Sequence, residues 1–172
     1  MKALYLTGYM GAGKTTIGER LANLLGLPVI DTDHYIENIA GKSIPEIFAE
    51  NGEEVFRRYE REYLKMLPIE NVIITTGGGI VIQEENREWM QNNGTVIYLH
   101  CEIDEIFNRI TIDESRPLFD LTQKEMVIKR YQDRLPLYQQ AHFTVDTTSQ
   151  TLEEVVEEIH QLLKKMKSGH TS

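Results

Sequence analysis

The sequence predicts an α/β fold with a mostly parallel sheet, and three observations predict it. Short apolar runs rich in β-branched residues alternate with amphipathic stretches along the chain. The connections between them are short, and the apolar runs end in small or polar residues. The 172 residues suffice for one domain with a sizeable core, and 41% hydrophobic with 26% charged residues is an ordinary globular balance. No internal repeat, linker or low-complexity segment interrupts the alternation, so residues 1–172 are expected to form a single domain.

Ala3–Thr7 is the first expected strand. Lys14–Leu25 carries apolar residues at helical spacing until Gly26 and Pro28 stop it. Val29–Asp31 reads as the second strand, with a helix beginning near His34. Ser43 and Glu46 form a capping box, in which the hydroxyl satisfies a free backbone N–H and the Glu reaches back to the cap. Glu53–Met66 is helical in pattern, Val72–Thr76 is the third strand, Glu84–Asn92 a helix, Thr95–His100 the fourth strand and Asp104–Ile110 a helix. Thr111–Leu121 fits neither period. It is polar, contains Pro117 and lies between two helices, as a lid does, and a mobile lid is expected near residues 111–124. Capping boxes at Thr122/Glu125 and Thr151/Glu154 open the last two helices, on either side of a fifth strand, Phe143–Asp146. Residues 166–172 are expected to be a flexible tail.

A net charge of −9 disfavours nucleic acid and anionic membranes as partners, so any anionic ligand must be met by a few placed arginines. No apolar run approaches the ~20 residues that span a bilayer, and no signal peptide is expected. The lone cysteine, Cys101, forms no internal disulfide and suits a cytoplasmic location. The five histidines show no metal-ligand spacing.

Gly8-Tyr9-Met10-Gly11-Ala12-Gly13-Lys14-Thr15 matches the pattern G-x-x-x-x-G-K-[ST] between the first strand and the first helix. The glycines let successive N–H groups turn toward one point, and the helix N-terminus adds its positive end. In such a loop Lys14 sits between the β- and γ-phosphates of a nucleoside triphosphate, and the Thr15 hydroxyl is a ligand for Mg²⁺. Asp31-Thr32-Asp33 ends the second strand, at the sheet edge where the phosphate loop lies. Asp31 is the candidate to reach Mg²⁺ through water, ranking above Asp146, whose short strand runs into a plain turn. Asp33 would contact an acceptor hydroxyl, either taking its proton or only orienting it. Either aspartate could instead simply cap the following helix.

Arg57 and Arg58 are adjacent on a helix and point about 100° apart, so one should face the cleft and the other solvent or a neighbouring Glu. Gly77-Gly78-Gly79 permits close backbone approach to a ligand, or serves as a flexible turn. Arg116, in the lid segment, could close over a γ-phosphate, and Arg134, before Pro136, could grip an anionic acceptor; each could equally be a solvated surface charge.

In register, these motifs resemble the shikimate kinases, from Lys2 to about Lys164. The resemblance implies a three-layer α/β/α P-loop kinase, nucleoside-monophosphate-kinase-like, with a five-stranded parallel sheet in the order 2-3-1-4-5. It implies ATP-dependent phosphorylation of the 3-hydroxyl of shikimate, giving shikimate 3-phosphate and ADP on the route to chorismate and the aromatic amino acids. Residue by residue, it implies catalytic roles for Lys14, Asp33 and Arg116. ATP would be held by Gly11, Ala12, Gly13, Lys14, Thr15, Thr16, Arg109, Arg116 and Gln150. Shikimate would be held by Asp33, Arg57, Gly78, Gly79 and Arg134, and one Mg²⁺ by Thr15 and Asp31. Thr148-Ser149-Gln150 stands where many relatives carry a basic residue. The chain is expected to act as a monomer. Its rivals are another small-molecule kinase, for gluconate or a nucleoside monophosphate, and a P-loop module that binds without turnover.

Overall fold

The computed structural model describes residues 1–112 and 123–169. Its strands are β1 (Ala3–Thr7), β2 (Val29–Asp31), β3 (Ile73–Thr75), β4 (Gly94–His100) and β5 (Phe143–Asp146). They form one all-parallel sheet in the order β2-β3-β1-β4-β5, as the resemblance implies. The helices are α1 (Lys14–Leu25), α2 (Thr32–Ala40), α3 (Ile44–Leu64), α4 (Glu84–Asn93), α5 (Ile103–Ile112), α6 (Lys124–Tyr138) and α7 (Leu152–Ser168).

β1 is the middle strand, and all five of its residues are buried, as a strand covered on both faces must be. Successive side chains of a strand point to opposite faces. Leu6 meets α1 at Gly18, while Tyr5 reaches Trp89 of α4, so the sheet is sandwiched between two helical layers. Gly18 is required: a Cβ there would lie 2.4 Å from the Thr75 methyl, and α1 would be pushed off β3. A smaller core of Ile36, Ile47 and Phe56 fastens α2 to α3 and so fixes the roll of α3, on which Arg57 sits.

The segments opening at Ser43 and at Glu53 stay distinct, as expected: Gly52, with a φ of 83° and a ψ of 168° that only glycine adopts without strain, breaks the run of α3 between them. Elsewhere the structure departs from the sequence reading. A 3₁₀ turn, Ile80–Ile82, follows the glycine triplet and escaped the pattern because its three residues show no period. Pro136 lies inside α6, which runs through it to Tyr138 and forgoes one backbone hydrogen bond there. α7 continues through Ser168, so residues 166–168 are helical rather than part of a tail, with Met166 packed on the core. The expected lid from 113 to 122, with Arg116, Pro117 and the Thr122 cap, and the tail from 170 to 172 lie outside the described residues.

Candidate active site

In a parallel sheet the C-terminal strand ends share one edge. There the loop after β1, the start of α2 and the glycine turn after β3 surround a cavity of 410 Å³. A second cavity of 260 Å³ adjoins it, sharing Gly11, Gly13, Thr16 and Arg109 and extending past Ala12 to Gln150.

The phosphate loop forms because its glycines occupy backbone conformations closed to other residues. Gly11 and Gly13 have φ of 83° and 90°. At Gly8 a Cβ would lie 2.7 Å from the Leu99 carbonyl oxygen. α1 starts at Gly13 with no side-chain cap and no acidic residue in its first turn, whereas Asp31, Ser43 and Thr151 cap α2, α3 and α7. The N–H groups that begin α1 therefore remain open to an anion. Lys14 folds back over the loop, donating to the carbonyls of Gly8 and Tyr9, the latter at 3.2 Å.

Asp31 does what a capping aspartate does and more. One carboxylate oxygen accepts from the His34 N–H at 3.0 Å and the other from the Thr75 hydroxyl at 2.8 Å, while the residue still lines the larger cavity. Thr15 lines the same cavity. Hydroxyl and carboxylate oxygens are the hard donors Mg²⁺ takes, and this ion keeps several waters, so two protein ligands fit it. Among the described residues no group of three or more His, Cys, Asp or Glu is arranged to hold a metal ion by itself. Asp146 turns away, its carboxylate accepting from the Thr148 N–H at 2.9 Å, as the short strand and turn suggested.

Asp33 stands one helical step inside Asp31. Its Oδ1 is buried and accepts no hydrogen bond within the protein. Burial and the charge of Asp31 push its carboxyl up to about 6, against the pull of Lys14 and Arg57. A buried acceptor with no protein partner, at the wall of a cavity, is a place for a ligand's hydroxyl.

The arginine pair divides: Arg58 faces solvent, and Arg57 turns inward onto two glutamates. Phe56, Glu60 and Leu64 fall on one buried stripe of α3, at i, i+4 and i+8. Arg57 borders that stripe with 15% of its side chain exposed; Arg58 points out at 52% and pairs with Glu62 at 3.8 Å. Arg57 donates to Glu60 at 2.6 Å and to Glu53 at 3.2 Å. Arg134 lies over the Tyr9 ring, 5.8 Å from its centroid, with its guanidinium against Gly78.

The glycine triplet earns its composition one residue at a time. A Cβ on Gly77 would sit 2.3 Å from the Asp33 carboxylate, and one on Gly79 would sit 2.3 Å from the Arg57 guanidinium. At Gly78 it would meet Arg134 Nη1 at 3.5 Å. The Thr32 hydroxyl accepts the Gly77 N–H at 2.9 Å and holds the turn in place.

Between the two cavities Arg109 acts as a tie, donating to the carbonyls of Gly11 at 3.2 Å and Thr147 at 2.8 Å. Gln150 reaches the second cavity, but its amide is spent on the Asp146 carbonyl at 2.6 Å and on Glu158 at 2.9 Å.

Sequence reading missed Glu60 and the need for Gly77. Glu60 is buried, one of its oxygens lacks a partner, and burial pushes its carboxyl up to about 7 even though Arg57 lowers it. Its signal was a charged residue on the stripe of Phe56 and Leu64, three positions after Arg57. Arg116 lies outside the described residues.

The shikimate kinase family model matches residues 10–164. A shikimate kinase of Bacillus cytotoxicus is 52% identical over 159 residues, 92% of this chain and 96% of that one. A shikimate kinase of Bacillus cereus is 48% identical over 165 residues, covering 96% of this chain and 100% of that one. Among solved structures, a shikimate kinase from Acinetobacter baumannii in complex with shikimate has a TM-score of 0.87 at 37% identity, with 97% of this chain and 95% of that one covered.

Proposed function

This chain belongs to the shikimate kinase family, and from that premise we propose how its residues divide the phosphorylation of shikimate by ATP. The observation that carries the reading is Asp33, whose buried, unpartnered oxygen lies against Gly77 on the cavity that Lys14 and Thr15 also line. It accepts a hydrogen bond from the 3-hydroxyl of shikimate and aims that oxygen at the γ-phosphorus. The open start of α1 and Lys14 hold the β- and γ-phosphates and offset the charge that spreads on the transferring group. Arg57 and Arg134 hold the shikimate carboxylate from opposite sides of the glycine turn; guanidinium forks suit a planar carboxylate. Thr15 would hold one Mg²⁺ directly and Asp31 would reach it through water; the ion would supply positive charge against the phosphates. Arg109 and Gln150 border the nucleoside in the smaller cavity. Arg116 would meet the γ-phosphate, the role that the family resemblance implies for it. The enzyme acts as a cytoplasmic monomer of one domain. Among its described residues no helix is long and apolar enough to cross a membrane.

The direct test is ADP release with ATP, Mg²⁺ and shikimate, beside gluconate and nucleoside monophosphates as acceptors. Shikimate-dependent release supports the reading; release with another acceptor and none with shikimate ends it.

Two substitutions probe the carboxylate site. Arg57→Ala and Arg134→Ala are each expected to raise the shikimate KM by ~30-fold or more, because each leaves a buried carboxylate short of a partner. An unchanged KM in both removes the assignment. Gly79→Ala is expected to raise the shikimate KM about tenfold with little loss of thermal stability. The new Cβ collides with the far end of the Arg57 side chain rather than with backbone, so the strand and helices stay in place but the cation moves. A large fall in melting temperature at unchanged KM would contradict this.

A further inference from the structure

Tyr131, Arg134 and Tyr138 lie at i, i+3 and i+7 on one face of α6. Tyr131 meets the Tyr9 ring of the phosphate loop edge-on, centroids 5.6 Å apart, and donates to the Cys101 carbonyl at 2.8 Å. Tyr138 is 1% exposed, and its ring stacks on Tyr98 with centroids 5.0 Å apart and planes 7° from parallel. Packing of this kind asks only for an aromatic ring, and phenylalanine would supply it. The hydroxyl has a separate use: it donates to the Gly78 carbonyl. The Arg134 guanidinium, one turn back on the same helix, lies beside that hydroxyl, and both converge on Gly78, 3.5 and 3.6 Å from where its Cβ would stand.

We propose that Tyr138 is a positioning residue for the acceptor: its hydroxyl joins the Gly78 carbonyl to Arg134 and so sets the spacing between the glycine turn and the cation that grips the substrate's carboxylate. The inference rests on the reading of Arg134 as a carboxylate partner. A phenol suits the place because it donates one hydrogen and still presents lone pairs to a guanidinium. The stacked Tyr98 ring and the helix keep it from swinging away, so the spacing is set before substrate arrives.

Tyr138→Phe keeps the ring and the stack and removes the hydroxyl alone. The shikimate KM is expected to rise about tenfold, the worth of one hydrogen bond, with kcat and the ATP KM within about twofold of wild type. With shikimate methyl ester, which lacks the carboxylate charge, the ratio of variant to wild-type KM is expected to shrink at least threefold. Tyr98→Phe, which removes a hydroxyl that meets His100 and Tyr131 and not Gly78 or Arg134, should leave the shikimate KM unchanged. A lowered melting temperature with unchanged shikimate KM assigns Tyr138 to packing and overturns the proposal. So does an equal penalty for acid and ester, or an ATP KM that rises in step. The wild-type rate with shikimate, measured first, tests the kinase reading separately.

Discussion

Asp33→Asn is expected to lower kcat by ~100-fold or more while raising the melting temperature above neutral pH. The loss follows from geometry. Asp33 is the buried acceptor with no protein partner at the cavity wall, and an amide neither accepts a proton nor orients a hydroxyl as a carboxylate does. A phosphoryl transfer with a loose transition state needs little base catalysis, so orientation of the hydroxyl carries most of the effect. The gain follows from burial. The folded-state pKa of about 6 lies above the ordinary 3.8, so the folded protein keeps a proton that the unfolded chain releases. The stability linked to that proton is fully present below pH 4 and is lost as pH rises through 6. Asparagine never ionises, so at pH 8 the variant should be more stable by on the order of 2 kcal/mol. Steady-state ADP release and thermal melting at pH 5 and pH 8 check both halves. A kcat within tenfold of wild type removes the role in transfer. A variant that melts lower than wild type at pH 8 removes the account of its burial.

Lys14→Met is expected to lower kcat by ~1,000-fold and to weaken ATP, with shikimate affinity far less affected. The effect is large because Lys14 is the cation placed on the loop itself. Its ammonium is held by the Gly8 and Tyr9 carbonyls, on the loop that is proposed to receive the phosphates. Met fills similar volume with no charge, so the loop keeps its glycine-set path while the charge that meets the transferring group is gone. Initial rates at varied ATP and at varied shikimate check the split. A kcat within tenfold of wild type, or equal weakening of both substrates, contradicts it.

Both predictions rest on features of unequal legibility. The phosphate loop could be read directly because it is local: three left-handed or close-packed glycines, a lysine and a threonine within eight consecutive residues. The caps at Ser43 and Thr151 were legible for the same reason, a hydroxyl and a glutamate three residues apart. The acceptor half offered only competing alternatives, residue by residue, until the resemblance put them in register. Arg57 and Arg58 look alike in sequence, and the roll of α3 chose between them through Phe56, buried against Ile36 and Ile47. Glu60 looked like one more surface acid on a charged helix. Its burial places a carboxyl behind the arginine that is proposed to hold the substrate.

By itself the sequence determined the α/β class, the order of its elements, the donor loop, and the residue types available for an acceptor. Those follow from period and turn chemistry, which act over a few residues. Only the tertiary structure decided which groups meet. The Asp31 carboxylate accepts from Thr75, 44 residues on; Arg109 ties Gly11, 98 residues back, to Thr147; and Tyr138 reaches Gly78 across 60. Each of these contacts depends on β3 lying between β2 and β1, and β4 between β1 and β5, an arrangement set by burying both faces of the sheet at once. The glycine triplet condenses the difference. Any reading sees three small residues, but Gly77 and Gly79 must be small because folding brings Asp33 and Arg57 to where their side chains would be.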